Sequence, residues 1–498
     1  IVDDLASRID VLVDLGLGYL ALDRSTPTLS PGELQRLRLA TQVHSHLFGV
    51  VYVLDEPSAG LHPADTEALL RALDRLRASG NSLFVIEHDL DVVRHADWIV
   101  DVGPGAGVHG GMVLYSGPPE GLQKIEASCT RRFLERDATV PSRTPREPAG
   151  WLRLEGIERN NLKAIAAAFP LGVMTAVTGI SGSGKSSLVS QALVDLVTAQ
   201  LGSKATDAEA TDALDLERPD TTPTGGRIVG ALTGIRRLVQ VDQKPIGRTP
   251  RSNLATYTGL FDHVRKLFAA TRMAKARRYD AGQFSFNVAK GRCEQCAGEG
   301  FVMVELLFLP SVYAPCPVCH GARYDAKTLE VRYRDRNIAD VLGMTVDAAR
   351  EFFAEDVTLQ RSLDVLHQVG VGYLRLGQPA TELSGGEAQR IKLATELQRG
   401  GRGETLYVLD EPTTGLHPAD VEKLVTQLEG LVESGNTVIV VEHEMRIVAA
   451  SDWVIDVGPG AGVEGGRIVA AGVPSDVARV RESRTAPYLK RTIAPASR

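Results

Sequence analysis

The sequence predicts an α/β chain of two related phosphate-binding modules, the first represented by its back half and the second complete. Three observations carry this. Gly179-Ile180-Ser181-Gly182-Ser183-Gly184-Lys185-Ser186 fits the phosphate-loop pattern G-x-x-x-x-G-K-[ST] at every fixed position. Strings from the first part of the chain return about 355 residues later. Each copy holds a hydrophobic run ending in Asp-Glu-Pro, the pattern of a strand that presents carboxylates at its end.

The phosphate loop lies in the context it needs. The run 173–178 is apolar and β-branched, as in a buried strand, and 187–196 has helical spacing. The glycines let the backbone wrap a phosphate with its N–H groups inward, at the positive end of a helix. Lys185 can reach the β- and γ-phosphates, and the Ser186 hydroxyl can hold Mg²⁺. Gly179, Ser181, Gly182, Ser183, Gly184, Lys185, Ser186 and Ser187 are therefore the candidate nucleotide contacts.

A length of 498 residues suits three or four domains of ~150 each. The formal net charge is −7, so a nucleic-acid binder of this balance must concentrate its basic residues locally. No apolar run approaches the ~20 residues of a membrane span, and with no signal peptide a cytoplasmic location is expected. The chain opens at Ile1 without a Met, which suggests that the N-terminal part is lacking. Four of the five Cys form Cys-x-x-Cys pairs, favouring metal over disulfides, and Cys129 is expected to be an inert thiol.

The first module fragment spans 1–137. It holds a helical pattern over 5–17, the loop Ser30-Pro31-Gly32-Glu33, a helix over 34–43 and a strand over 50–54. A helix over 66–78 and a strand over 83–86 ending in Glu87-His88 follow. The second copy repeats that order. Ser384 follows Ser30 at an offset of 354 (384 − 30), and Asp410 and His443 follow Asp55 and His88 at 355 (410 − 55, 443 − 88). Residues 138–150, rich in Pro, Arg and Thr, read as a linker. The second module spans 151–498, with its loop at 179–186, an inserted region at about 200–380 and a signature loop at 383–387. Its Asp-Glu strand is 406–411. Residues 205–226, acidic and then Thr/Pro/Gly-rich, are expected to form a mobile loop.

Asp410 ends its strand as a Mg²⁺-binding carboxylate of a phosphate-loop ATPase should. Glu411, next to it, is placed to polarise the attacking water. His443 can contact the γ-phosphate, and Gln243 can report on metal and water. Leu383-Ser384-Gly385-Gly386-Glu387 before a helix is a second phosphate-type nest, with Ser384 and Gly386 as its candidate contacts. Ser30 and Gly32 hold the same places in the first copy, where Pro31 replaces a Gly and removes one N–H donor. Cys293-x-x-Cys296 and Cys316-x-x-Cys319 have the spacing of a four-thiolate zinc site at 293–319. Gly298 and Gly321 suit tight turns, and His320 reads as a bystander. The segment 266–278, with Arg248 and Arg251, could neutralise DNA phosphates, although a solvated helix face is the plainer alternative.

Two γ-phosphate nests in one module have no use unless one closes on the opposite module's nucleotide. That combination resembles the ABC ATPase superfamily. The strings at 383–395 (LSGGEAQRIKLAT), 409–418 (LDEPTTGLHP), 247–259 (GRTPRSNLATYTG) and 284–300 resemble the UvrA family of excinuclease ATPases, from about residue 12 to 489. The resemblance implies ABC-type cassettes with an inserted helical signature domain and a zinc module whose hairpin helps sense damage. It implies ATP, Mg²⁺ and Zn²⁺ as ligands, damaged double-stranded DNA and the excinuclease protein UvrB as partners, and a homodimer. The function implied is ATP-dependent damage recognition in nucleotide excision repair, with incision left to partner proteins. A UvrA-like paralogue that protects against DNA-binding drugs, or an ABC protein of transport or translation, is the alternative. The resemblance also implies that the loop at 30–33 closes on the nucleotide held by Lys185, within one chain.

Overall fold

The structure, a computed structural model, describes residues 2–493 apart from 27, 28, 30, 45, 46, 106, 108, 109, 135–139, 141, 142, 203–223, 231, 233, 248, 307, 308 and 400–402. At 31, 44, 305, 306 and 309–311 it describes the backbone alone. Ser30, Arg248 and most of the acidic loop of 205–226 thus lie outside the described residues; Gly225 and Gly226 begin a strand. Two compact units result: Ile1–Pro104, Gly110–Asp242 and Gly401–Arg498 form the first, and Gly105–His109 with Gln243–Gly400 the second.

The first unit is built on a six-stranded sheet. Met174–Thr178, buried at every position, pairs in parallel with Thr437–Val441 on one side and Trp453–Gly458 on the other. Thr405–Asp410 and Arg237–Val241 extend the first side, and antiparallel Arg467–Gly472 closes the second. These are short apolar, β-branched runs without polar alternation, as expected of parallel strands covered on both faces. The segment after the phosphate loop is helical as expected, but Ser187–Leu193 is wound as a π-helix before Val194–Leu201 continues as α. Short π segments of this kind recur at functional sites. Its Leu188, Val189, Ala192 and Leu193 are fully buried. They pack against Val177, Val408 and Val441 of the sheet, and against Leu152, Leu154 and Phe169. Those last three belong to a three-stranded antiparallel sheet of Leu162–Leu171, Gly150–Arg159 and Gly225–Val229. The loop is therefore held between two covered layers.

The first repeat supplies four strands in two pairs, Val51–Asp55 with Ser82–Ile86 and Ile99–Gly103 with Met112–Gly117. The repeat offset maps them onto four strands of the large sheet. Among the described residues no strand takes the place that Met174–Thr178 has between the other pairs. Helix Pro63–Ala78 begins with His62 as N-cap and Pro63 in the first turn, and its counterpart Pro418–Glu433 begins likewise with His417. Both histidines accept a backbone N–H through Nδ1, a cap that the following proline tolerates. The helix on the first signature loop, Pro31–His44, starts at Pro31 itself. Pro31 thus sits where a missing N–H costs little.

The second unit packs Phe261, Phe268, Phe284, Phe286 and Tyr324 into one aromatic core beneath short capped helices. It also carries the helix Gly385–Arg399 and a hairpin of Phe301–Leu306 and Leu309–Pro315. No described helix is long and apolar enough to cross a membrane.

Candidate functional sites: a phosphate loop and a cysteine cluster

The loop wraps as its glycines permit. Gly179, Gly182 and Gly184 have φ of 135°, 73° and 109°, where side chains are strained. A Cβ at Gly179 would lie 2.0 Å from the Val457 carbonyl oxygen, so the adjacent strand presses directly on the loop. Lys185 is 6% exposed, and its Nζ donates to the carbonyls of Gly179 and Ile180 at 2.9 Å each. Burial lowers its pKa, against the pull of Glu411, Asp65, Asp410 and Asp456. Thr178 Oγ1, Ser183 Oγ and His443 Nδ1, in or next to the loop and at the end of a neighbouring strand, are buried without a hydrogen-bond partner. Buried polar atoms without partners beside a buried ammonium suit a polyanionic ligand.

Asp410 accepts a hydrogen bond from Ser190 at 2.8 Å, and burial with the Glu411 charge pushes its carboxyl up to about 6. Asp410 and Glu411 are adjacent carboxylates at a strand end, Lys185 lowers the pKa of both, and an acidic pair of this kind fits a divalent metal at Asp410. Glu411 has φ 47°, a left-handed conformation rare outside glycine, and its amide donates to Val441 O. Burial raises its pKa while Lys185 lowers it. His443 Nε2 stands 3.5 Å from Glu411 Oε1. Burial, then the Lys185 charge, hold His443 well below its ordinary pKa, so the ring is neutral. Ser187 takes a hydrogen bond from Asn160 at 2.9 Å. Lys185, Asp410, Glu411 and His443 are thus brought together.

The first repeat reaches into the same place. Asp65 Oδ2 accepts the Ser181 amide at 2.9 Å. Burial alone would raise this carboxyl, but Arg36 and the Ser181 N–H outweigh it and hold it low. The Tyr19 ring lies over Gly182, whose Cβ would meet it at 2.5 Å, and its hydroxyl donates to Glu33 Oε1 at 2.6 Å. Gly60, at φ 69°, faces Glu411: a Cβ there would be 2.7 Å from Oε2. Gly32 packs on the Ala59 carbonyl, its Cβ position 3.3 Å away. Residues on both sides of Ser30 in the chain therefore bear on the loop that holds Lys185. Sequence reasoning missed Tyr19, Asp65 and Gly60; each has a repeat counterpart at Tyr373, Asp420 and Gly415, which was the available signal.

Gln243 lies in the second unit beside the second signature loop, where a Cβ on Gly385 would sit 3.4 Å from its own. There Ser384 Oγ accepts the Glu387 amide at 3.2 Å and Glu387 Oε2 accepts the Ser384 amide at 2.8 Å, a capping box that opens the helix containing Gly386. Tyr373 donates to Glu387 as Tyr19 does to Glu33. Of the basic candidates, Arg251 is ion-paired with Glu299 at 3.4 Å, and Arg277 with Glu330.

Cys293, Cys296, Cys316 and Cys319 bring their sulfurs within 4.8 Å of one another. Cys293 and Cys316 are 3.9 Å apart and Cys296 and Cys319 3.6 Å. Tetrahedral zinc–thiolate bonds of ~2.3 Å require sulfurs ~3.8 Å apart, so the set fits zinc. Gly298 and Gly321 turn at φ 86° and 89°, and His320 is outside the cluster. The Gly300 amide donates to Cys296 Sγ at 3.3 Å, as a thiolate ligand would invite.

No protein-family model matches the chain. It is 52% identical over 493 residues to UvrABC system protein A of Streptomyces avermitilis, covering 98% of this chain and 47% of that protein. To its namesake in Mycobacterium bovis it is 50% identical over 496 residues, 99% of this chain and 50% of the other. The crystal structure of UvrA2 from Deinococcus radiodurans superposes with a TM-score of 0.91 at 68% identity, over 99% of this chain and 58% of that one. A ribosome-bound archaeal Pelota–ABCE1 structure, at 18% identity and a TM-score of 0.54, shares the fold alone. The chain spans about half the length of the curated relatives it matches. The expected ABC-type α/β fold is thereby borne out, and over the stretch it shares with these relatives the chain belongs to the UvrA family.

Proposed function

We propose that this chain binds and hydrolyses ATP at Lys185 as part of a DNA-damage recognition protein of bacterial nucleotide excision repair. The observation that carries the reading is convergence: Asp65 and Gly60 of the first repeat contact the phosphate loop and Glu411 of the second. The loop amides and Lys185 would hold the β- and γ-phosphates, and Ser186 with Asp410 would hold Mg²⁺, which supplies charge neutralisation there. Glu411 takes a proton from the attacking water, and neutral His443 orients the terminal phosphate. Gln243 is assigned to sensing metal and water. Ser30 and Gly32 are assigned to closure over this nucleotide, and Ser384 and Gly386 to the equivalent act in the other module. The modules are 1–137 and 151–498.

The four cysteines are assigned one structural zinc, which metal analysis under reducing conditions tests directly. Damaged duplex DNA, the excinuclease protein UvrB and a second copy of the chain are the proposed partners, in the cytoplasm. The decisive experiment is a gel-shift of damaged against intact duplex with and without ATP, run beside ATP turnover. ATP-dependent preference for the damaged duplex is expected; equal binding to both would sink the repair role and leave the ATPase reading standing.

A further inference from the structure

A chain of three groups recurs between the repeats. His62, fully buried, accepts the Ala64 amide at Nδ1 (3.2 Å), which leaves the proton on Nε2. Nε2–H then donates to Thr485 Oγ1 at 3.1 Å, and Thr485 donates to Asp456 Oδ1 at 2.9 Å. The second copy is His417, Thr130 and Asp101, with the corresponding bonds at 3.1, 3.2 and 3.0 Å. In each case the histidine of one repeat bonds the threonine of the other. Each histidine ring also stands edge-on to the other repeat's strand-end histidine, His62 to His443 at 5.8 Å and His417 to His88 at 6.2 Å.

The two ends differ in what lies beyond them. Asp456 is 2% exposed and pairs in the sheet with Thr178, the residue before the phosphate loop. The Val457 carbonyl next to it presses on Gly179. His443 on the other side of His62 contacts Glu411. His62 is thus bonded through Thr485 to the strand beside the loop and stacked on the histidine that contacts Glu411.

We propose that His62 is a positioning residue for hydrolysis at Lys185. Through Thr485 and Asp456 it ties helix Pro63–Ala78 of the first repeat to the strand beside the phosphate loop, and its ring fixes that of His443. This rests on the ATPase reading of the Lys185 site. An opposite-repeat histidine held this way makes the reactive geometry depend on the two repeats being docked, and leaves nucleotide affinity to the loop itself.

The test is steady-state ATP turnover by the 498-residue chain. It compares His62→Ala, His62→Gln and the matched pair Thr485→Val and Thr130→Val, with Glu411→Gln as the reference for true turnover. His62→Ala and Thr485→Val should lower kcat about tenfold, the equivalent of one lost hydrogen bond. KM for ATP should stay within about twofold, since the loss is confined to the transition state. His62→Gln keeps a side-chain N–H donor and should recover most of the rate. Thr130→Val removes the same bonds at the other end and should leave kcat unchanged. Equal losses from Thr485→Val and Thr130→Val would mean a merely structural role and overturn the proposal. So would Glu411-dependent turnover indifferent to His62→Ala. If His62→Ala fails to fold, the near-isosteric Thr485→Val decides alone. Unsubstituted chain with no Glu411-dependent turnover would instead overturn the ATPase reading, and this inference with it.

Discussion

Phe84 in the first repeat is 62% exposed, whereas Ile439, its counterpart 355 residues on, is fully buried. The same holds along the strands: Val51–Asp55 and Ser82–Ile86 alternate between exposed and covered, while Thr405–Asp410 and Thr437–Val441 are covered almost throughout. Yet the loops at their ends match closely. Glu56 and Glu411 turn at φ 44° and 47°, each stands about as far from its histidine, at 3.7 and 3.5 Å, and each faces a glycine of the other repeat. Loop geometry is therefore carried by the repeat itself. The electrostatics are described for one end: Glu411 has the phosphate loop of Lys185 beside it, and its pKa is raised by burial and lowered by Lys185.

The sharpest way to break that contrast is to remove each carboxylate in turn. Glu411→Gln should cut ATP turnover by on the order of 10²–10⁴, the usual share of a general base, with nucleotide binding retained. Glu56→Gln should leave turnover by this chain near normal. Equal effects would mean that both ends act, and the contrast would be lost.

Burial can be sharpened by matched truncations. Ile439→Ala should cost about 2–5 kcal/mol of stability in a urea titration, as for other fully buried aliphatics. Phe84→Ala should cost less than about 1 kcal/mol, since the ring is already in water. A large loss at Phe84 would show that the first repeat's strands are covered in solution.

Acid should act on the joint between the repeats. Burial, then His443, hold His62 down to about 3, and burial with His88 holds His417 down to about 4, against an ordinary 6.5. Between those values the unfolded chain binds a proton that the folded chain refuses, so stability falls as pH drops below about 6.5. Glu442, raised to about 7 mainly by burial, titrates with the opposite sign, so the test is a difference. His62→Gln should flatten the acid limb by on the order of 2 kcal/mol between pH 7 and pH 5. Asp65, Lys185, Arg484 and His443 all act on His62, and a limb unchanged by the substitution would mean that they set it instead.

The smallest effect concerns Tyr19. Tyr19→Phe removes one hydrogen bond to Glu33 and keeps the ring over Gly182, so turnover should fall only a few-fold, about 1 kcal/mol. Tyr373→Phe, which removes the matching bond to Glu387, should not change it.

Much of this is legible in the sequence because it is written in local strings. The phosphate loop, the Cys-x-x-Cys pairs and the Asp-Glu strand ends each fit within a few residues, and the repeat offset joins them. What the strings do not show is contact between distant residues. His62 meets Thr485 across 423 positions and Asp65 meets Ser181 across 116, and no periodicity links such pairs. The offset of 355 nevertheless holds for His62 and His417, for Thr130 and Thr485, and for Asp101 and Asp456, so a residue-by-residue alignment of the repeats would have exposed them. The π-wound turns at Ser187–Leu193 have no signal, since their residues suit either helix. Arg251 looks free for phosphate in the sequence because its partner Glu299 lies across a fold that spacing does not reveal.

The central claim is that the first repeat completes the Lys185 site within one chain. The direct measurement is ATP turnover by an equimolar mixture of Lys185→Ala and Ser30→Arg chains, each expected to be inactive alone. Lys185→Ala removes the loop's charge, and Ser30→Arg would block the loop proposed to close on it. If the site is intrachain, no mixed assembly holds both intact halves together, and the mixture should stay inactive. Recovered turnover would show that the loop of one chain closes on the nucleotide of another, and would contradict the account.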